Sequence, residues 1–300
     1  MRLTFLGTAG SWPTKERSAS AIALDTEREL VLFDCGEGTQ RQFFQSSASF
    51  MRLRRIFITH FHGDHFLGLP GLVQSMNLNN RTEPLDIYGP PDAKEMVERA
   101  LRLGYFTQRF PIAIHPLAPD QSVELDGYTV RTAHAEHPVP TIAYRLEEGP
   151  KRGRFDGERA RAMGIKGKDF ARLEAGDPVH VGNQTIHPAD LQGPPRPGRS
   201  IVYSGDTGPS EAIRRLSHRA TLLIHEATTS ADIEAEANRW GHSSARQAAQ
   251  LALDAEVGTL FLTHFSSRYK EVEPLESEAR IVFPSSHAAR DLLDHLIRQP

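Results

Sequence analysis

Thr59-His60-Phe61-His62-Gly63-Asp64-His65 follows Arg54-Arg55-Ile56-Phe57-Ile58, an apolar, β-branched run that reads as a buried strand. The two histidines of an H-x-H pair in extended backbone point to the same side of the chain. Asp64 and His65 reach the same space if Gly63 lets the backbone bend sharply. Strand ends are where α/β sheets present their chemistry, and imidazole and carboxylate donors packed this closely suit zinc. The competing reading is a chance run in a chain with 14 histidines. It weakens because further ligand types recur at other strand ends.

Strand-like runs end in His or Asp at His60, at Asp206 after Ser200–Tyr203, at His225 after Thr221–Ile224 and at His264 after Gly258–Leu262. His137, in Glu136-His137-Pro138-Val139-Pro140, also follows a strand. His60, His62, Asp64, His65, His137, Asp206 and His264 exceed what one tetrahedral zinc needs. They suit two ions sharing a bridging carboxylate and water. The single cysteine, Cys35, excludes an internal disulfide and a Cys-rich zinc finger, so metal here rests on His and carboxylate.

A hydrophobic content of 39% with 24% charged residues fits a soluble globular protein. The net charge of −3 argues against indiscriminate polyanion binding and leaves room only for a local basic patch. The N-terminus alternates like a strand, lacks the apolar core of a signal peptide, and no membrane-length apolar run follows. These features predict a cytoplasmic protein with no membrane partner.

Arg2–Leu6, Ser20–Leu24 and Leu30–Asp34 read as a meander of strands, with a helix from Gln40 after Phe33-Asp34-Cys35-Gly36-Glu37-Gly38-Thr39. A helix opens over Phe66–Val73, Leu85–Tyr88 is a strand, and Pro91–Leu103 is a helix with proline near its first turn. Ile112–Leu117, Ser122–Leu125, Thr129–Thr132 and Ile142–Leu146 give a second run of strands. Gly241-His242-Ser243-Ser244 precedes a helix with Ala248, Leu251, Ala252 and Ala255 at helical spacing, capped by Ser243 or Ser244. The class is α/β or α+β, with two sheets and helices outside.

Residues 147–198 break this pattern. Gly, Pro and basic residues abound, and no apolar periodicity is long enough for an independent core. From Lys151 to Arg172 there are 8 basic residues against 3 acidic. The segment reads as a basic arm inserted into a single domain spanning 1–300.

T-H-F-H-G-D-H, the single His137 before a turn, S-G-D-T at Ser204–Thr207 and T-H-F at Thr263–Phe265 resemble the metallo-β-lactamase superfamily. That resemblance implies an αββα sandwich, two mixed sheets with helices on the outside, here with an inserted arm. F-L-G-T, F-D-C-G-E-G-T, H-G-D-H-F-L-G-L-P-G-L, E-H-P, G-D-T-G-P, H-E-A-T, G-H-S-S and H-F-S-S-R-Y together resemble the ribonuclease Z family, endonucleases that mature tRNA 3′ ends. The likeness runs from Leu3 to about Phe283 and is weakest in the arm.

Carried over, the family pattern implies His60, His62 and His137 on one zinc ion, Asp64, His65 and His264 on a second, and Asp206 between them. Asp64 would also hold the attacking water and accept its proton. His242 matches the proton donor to the departing ribose 3′-oxygen, and Glu226 the carboxylate that orients and charges it. The products would be a 3′-hydroxyl on the tRNA and a 5′-phosphate on the trailer. Arg268 and Tyr269 would meet a phosphate or stack on a base. Lys15 and Arg17 lie in Pro13–Ser18, which resembles the family's P-x-K-x-R-N loop with serine at its last place. Lys151, Arg152 and Arg154 begin the arm that would hold tRNA, in a homodimer.

Rival readings remain at this level. A glyoxalase II-like thioester hydrolase or a small-molecule phosphodiesterase would need neither the arm nor H-E-A-T and G-H-S-S together. A nucleic-acid-binding protein with structural metals would not need a proton donor. For His242 the alternative is a cap or packing role, and for Glu226 a brace.

Overall fold

The computed structural model describes residues 1–105 and 107–299. By Cα proximity the chain divides into two compact units, Met1–Glu147 with Arg199–Arg298, and the segment Glu148–Gly198.

The larger unit begins with strands β1 (Arg2–Gly7), β2 (Ala21–Asp25), β3 (Leu30–Phe33), β4 (Leu53–Phe57), β5 (Leu85–Gly89) and β6 (Ile112–Pro116). The meander continues through β7 (Ser122–Leu125), β8 (Tyr128–His134) and β9 (Ile142–Glu148). The smaller unit holds β10 (Val179–Val181) and β11 (Gln184–Ile186). The chain then adds β12 (Ser200–Tyr203), β13 (Leu222–Glu226), β14 (Leu260–Thr263), β15 (Ser286–Ala288) and β16 (Asp294–Leu296).

Two seven-stranded sheets result, ordered β16-β1-β2-β3-β4-β5-β6 and β15-β14-β13-β12-β9-β8-β7. Both are mixed. β3 to β6 run parallel, as do β12 to β15, while β1, β2 and β7 to β9 pair antiparallel. Every residue of β3, β12, β13 and β14 is buried. Parallel strands covered on both faces read as such continuous apolar runs.

Aromatic rings from both sheets interdigitate between them. Phe5 meets Phe261 at 5.2 Å between centroids, Phe57 meets Tyr144 at 5.2 Å, and Phe33 meets Tyr203 at 5.8 Å. On the outer face of the first sheet, α1 (Thr39–Gln45), α3 (Leu69–Leu78) and α4 (Ala93–Leu101) bury Phe43, Leu72, Met76 and Val97 against Ile56 and Ile87. On the second, α9 (Ala245–Asp254) and α10 (Glu273–Val282) bury Ala248, Ala252, Leu275 and Ala279 against Leu223 and Leu262. The layering is helix, sheet, sheet, helix.

The helix expected to open at Phe66 is two helices. A single turn, α2 (Gly63–Phe66), is followed by α3. Gly63 starts that turn with helical backbone, so Asp64 and His65 are aimed by the helical turn and not by a sharp bend. The break falls at Gly68, where an added Cβ would lie 2.0 Å from the Gly36 carbonyl oxygen. This approach lets Gly68 N–H donate to the Cys35 carbonyl, 2.9 Å, and fastens the ligand segment to the end of β3. Helix α4 begins after Asp92, which leaves Pro91 just outside it.

The smaller unit corrects the expectation of an arm without a core. It folds as α5 (Gly157–Ala162), α6 (Lys168–Ala175) and the β10–β11 hairpin around Ala160, Ile165, Leu173, Val179, Ile186 and Leu191. These apolar residues come from several very short elements. None of the elements is long enough to display a period, so the cluster exists only in three dimensions.

Candidate metal centre and active site

Strand ends of both sheets deliver the predicted ligands to one place. His60, His62 and Asp64–His65 follow β4, His137 follows β8, Asp206 follows β12 and His264 follows β14. The ligand atoms of His60, His62, His137 and Asp206 lie within 4.8 Å of one another, as do those of Asp64, His65 and His264. Asp206 Oδ1 is 3.3 Å from both His65 Nε2 and His264 Nε2, while its Oδ2 is 3.8 Å from His60 Nε2. One carboxylate therefore spans both groups.

Partners behind the rings decide which nitrogen faces inward. Asp34, fully buried, takes His65 Nδ1–H at 2.7 Å and the Thr59 hydroxyl at 2.9 Å. With its own proton given to Asp34, Thr59 Oγ1 accepts from His60 Nδ1, 3.1 Å away. Glu226 repeats the arrangement. It lies 2.8 Å from His242 Nδ1 and takes the Thr228 hydroxyl at 2.7 Å, while Thr228 Oγ1 accepts from His264 Nδ1 at 2.9 Å. His137 Nδ1–H donates to the Gly241 carbonyl, 2.9 Å.

His60, His65, His137 and His264 thus turn bare Nε2 lone pairs inward, the second-shell pattern of metal-binding imidazoles. His62 presents Nδ1 instead, 3.1 Å from His60 Nε2 and 3.2 Å from His137 Nε2. His65 Nε2 and His264 Nε2 face each other at 3.3 Å. Buried Asp206 Oδ1 has no hydrogen-bond partner. Converging lone pairs beside an unpartnered carboxylate oxygen are unfavourable unless positive charge lies among them, so the donor set fits metal ions.

Burial opposes the charge on Asp64, but His65 and His264 hold its carboxyl well below the usual range. Burial likewise opposes the charge on Asp206, which His264 and His65 hold well below that range. His65 shows the reverse. Burial disfavours its cation, yet Asp206, Asp34 and Asp64 push it well above an ordinary histidine. At His60 burial wins, aided by the neighbouring His65, and the ring stays neutral. The field of the site favours positive charge at its centre, carried by the His65 ring or by a cation in place of its proton.

His242 also lies close to the cluster, in a third group with Asp206 and His264 whose ligand atoms are within 4.8 Å of one another. Its Nδ1 is also 3.9 Å from Asp206, but the shorter bond to Glu226 commits that atom. Burial disfavours its protonated form, yet the Glu226 charge and hydrogen bond outweigh burial and push it up to about 9. It does not cap the helix that follows. Ser244 does, accepting Gln247 N–H at 3.1 Å in a capping box. The ring lines a cavity of about 720 Å³ that also exposes His62, Asp64, His137 and Asp206.

Arg268 is exposed and borders the same cavity. Tyr269 and Arg17 are placed differently from their expected role as substrate contacts. The Tyr269 hydroxyl accepts Ser230 N–H at 2.9 Å, and buried Arg17 donates to the carbonyls of Ser266, Tyr269 and Lys270. Arg17 braces the loop that carries Arg268 through its inward carbonyls, and Tyr269 ties that loop to Ser230. Lys15 is exposed. In the smaller unit Lys151 pairs with Glu148 at 3.1 Å, while Arg152 and Arg154 are exposed. His225, the remaining strand-end histidine, donates from Nδ1 to the Glu226 carbonyl at 2.8 Å and is absent from the ligand groups.

Asp34, Thr59 and Thr228, whose side chains hold rings of the cluster, are residues the sequence reading did not single out. A signal was present, since Asp34 follows an apolar strand as Asp206 does, and the two threonines adjoin the ligand motifs.

Two mixed sheets face to face, with a histidine and aspartate cluster at their strand ends, define a protein of the metallo-β-lactamase class. A family described as β-lactamase superfamily domain matches residues 190–265, and one described as anti-Pycsar protein Apyc1 matches residues 1–147. Relatives cover far more of the chain. The ribonuclease Z of Methanosarcina acetivorans is 45% identical over 296 residues, 98% of this chain and 97% of its own. That of Methanothermobacter thermautotrophicus is 49% identical over 294 residues, 98% of this chain and 95% of its own. The crystal structure of human tRNase Z, short form, superposes with a TM-score of 0.73 at 28% identity, covering 99% of this chain and 100% of that one. The chain belongs to the ribonuclease Z family.

Proposed function

We propose that this chain removes the 3′ trailer from tRNA precursors with the aid of two zinc ions, leaving a 3′-hydroxyl on the tRNA and a 5′-phosphate on the trailer. Ribonuclease Z is a tRNA 3′-processing endonuclease, and the Glu226–His242 pair at 2.8 Å beside the ligand cluster carries the finer reading. Expelling a ribose 3′-oxygen requires a proton, and a histidine raised to about 9 holds one at neutral pH.

His60, His62 and His137 would hold one ion and Asp64, His65 and His264 the other, with Asp206 shared. The bound ions would supply positive charge for the phosphoryl oxygens and for a water made more acidic. Asp64, steadied by the Ser11 N–H at 2.7 Å, orients that water and takes its proton. His242 delivers a proton from Nε2 to the leaving oxygen, and Glu226 returns it to the charged form.

The stretch from Lys151 to Arg172, with 8 basic residues against 3 acidic, suits phosphate contacts of the kind that displace counterions. We assign Lys151, Arg152 and Arg154 to tRNA binding, within a homodimer acting in the cytoplasm. Among the described residues no helix is long and apolar enough to cross a membrane.

Cleavage of a trailer-bearing tRNA precursor, assayed beside a thioester and a nitrophenyl phosphodiester, tests the reading. The expected result is a single cut with the stated ends. Thioester hydrolysis without trailer removal would overturn it. Replacing residues 147–198 with a Gly/Ser linker should leave nitrophenyl diester hydrolysis in place, while tRNA affinity falls by orders of magnitude and loses salt dependence. An unchanged salt slope would put the tRNA elsewhere.

A further inference from the structure

The chain has two tryptophans, and neither is in the core: Trp12 is 60% exposed and Trp240 68%. Trp240 borders the active-site cavity, where Pro138, Ile233 and Ala237 join it in an apolar stretch of wall. Its backbone is firmly held. Trp240 N–H donates to the Ala237 carbonyl at 3.0 Å, and His242 N–H donates to the same carbonyl at 3.0 Å. Gly241 between them has φ +72°, and an added Cβ there would lie 2.7 Å from Pro138 Cδ. The Gly241 carbonyl in turn accepts from the ligand His137. A large flat ring is therefore displayed to solvent on the same fastened segment that carries the proton donor.

Ser11, Ser266 and Arg268 line the cavity from other segments, those that supply the amide partner of Asp64 and follow the ligand His264. The cavity thus has an apolar, aromatic stretch beside His242 and a polar, cationic stretch beside Asp64 and His264. A nucleotide has the matching division, a base with a π-face and a charged phosphate.

We infer that Trp240 is the stacking platform for the base of the nucleotide on the 5′ side of the cut, the last one the tRNA keeps. This rests on the function proposed above. His242 protonates the 3′-oxygen of that nucleotide, and Trp240 stands two residues away on the same rigid turn, so the base attached to that ribose is the one it meets. Stacking on an aromatic ring is tolerant of sequence, because every base has a π-face. The platform accordingly serves any base at this position, and the Arg268 guanidinium is left for the trailer phosphates.

The test compares precursors carrying either a normal base or an abasic site at the nucleotide 5′ to the cut. With the normal base, Trp240→Ala should raise KM on the order of ten- to hundredfold, with kcat much less affected. On the abasic precursor the wild type should already be weakened, and Trp240→Ala should add nothing. Trp240→Phe should restore most of the loss on the normal precursor while leaving the abasic one unchanged. In a Trp12→Phe background, fluorescence of Trp240 should quench on binding the normal RNA and not the abasic one. Equal losses on both precursors, or no loss on either, in variants that retain their metals would overturn the platform alone. A wild type that cuts neither precursor would overturn the parent reading and this assignment with it.

Discussion

Asp34, just beyond β3, holds His65 directly and His60 through Thr59; Glu226, the last residue of β13, holds His242 directly and His264 through Thr228. The two hubs use the same parts, a buried carboxylate, a threonine hydroxyl and two imidazoles. Around Asp34 both rings belong to the ligand cluster, and the Tyr203 hydroxyl from the second sheet donates to the same carboxylate at 2.8 Å. Around Glu226 the ring reached through threonine is His264, and the ring held directly is His242, whose Nδ1 is taken by the carboxylate. One support unit thus holds two rings of the cluster, His65 and His60, in one half of the site, and His264 with the proposed proton donor His242 in the other. What separates them is where Nε2 ends up, among the convergent lone pairs or facing the open cavity. Glu226 accordingly serves two rings, since it raises the pKa of His242 and orients His264 through Thr228.

The comparison breaks most visibly at Asp34. Asp34→Ala should abolish cleavage, because it leaves His65, Thr59 and Tyr203 donors unpaired in a sealed position, at about 1–3 kcal/mol each. Metal content and the denaturation midpoint should fall together. A variant with full metal and wild-type stability would show that the hub is not a support.

His242→Ala comes next, and here the two hubs should separate. Trailer cleavage should drop by about 10² to 10⁴ with metal content unchanged, while a nitrophenyl diester, whose leaving group needs little protonation, is hydrolysed nearly as before. Equal damage to both substrates would reduce His242 to a structural role.

Smaller effects sharpen the parallel. Thr59→Val and Thr228→Val each remove one relay hydroxyl and should weaken metal binding by roughly 10- to 100-fold, read by competition with a chelator. A loss confined to one of them would mean that the hubs are unequal supports.

The smallest effect is a shift in pH dependence. In its proposed role His242 acts protonated, so cleavage should decline as pH rises through its pKa, which is pushed up to about 9 without cations and lies lower beside them. Glu226→Gln removes the charge that raises this value, so the alkaline limb should move toward lower pH. A limb that stays in place would detach Glu226 from the proton donor.

The histidine and aspartate cluster was legible in the sequence because its chemistry is written locally. Alternation and apolar content mark each strand, and the residue after the strand is the one displayed. The layering of two sheets between helices followed from the same patterns. Asp34, Thr59 and Thr228 act through other side chains, and no spacing announces which hydroxyl will meet which ring. Arg17 and Tyr269 illustrate what proximity in sequence leaves out. A cation and an aromatic near a motif suggest substrate contacts, yet the fold turns Arg17 toward carbonyls of the loop at 266–270 and the Tyr269 hydroxyl toward the Ser230 amide. The arm's apolar cluster was hidden for a third reason, since each contributing element is too short to carry a repeat.

Strand β1 has β2 on one side and β16 on the other, with Arg2 opposite Leu296 and Thr4 opposite Asp294. During synthesis its first neighbour follows within a few dozen residues, but the second arrives only after nearly all the rest of the chain has left the ribosome. Until then one edge of β1 presents unpaired N–H and C=O groups, the usual template for unwanted strand addition. Completion of the first sheet is therefore a late event, and a chain halted before residue 294 would expose an adhesive border that the finished protein covers with three residues.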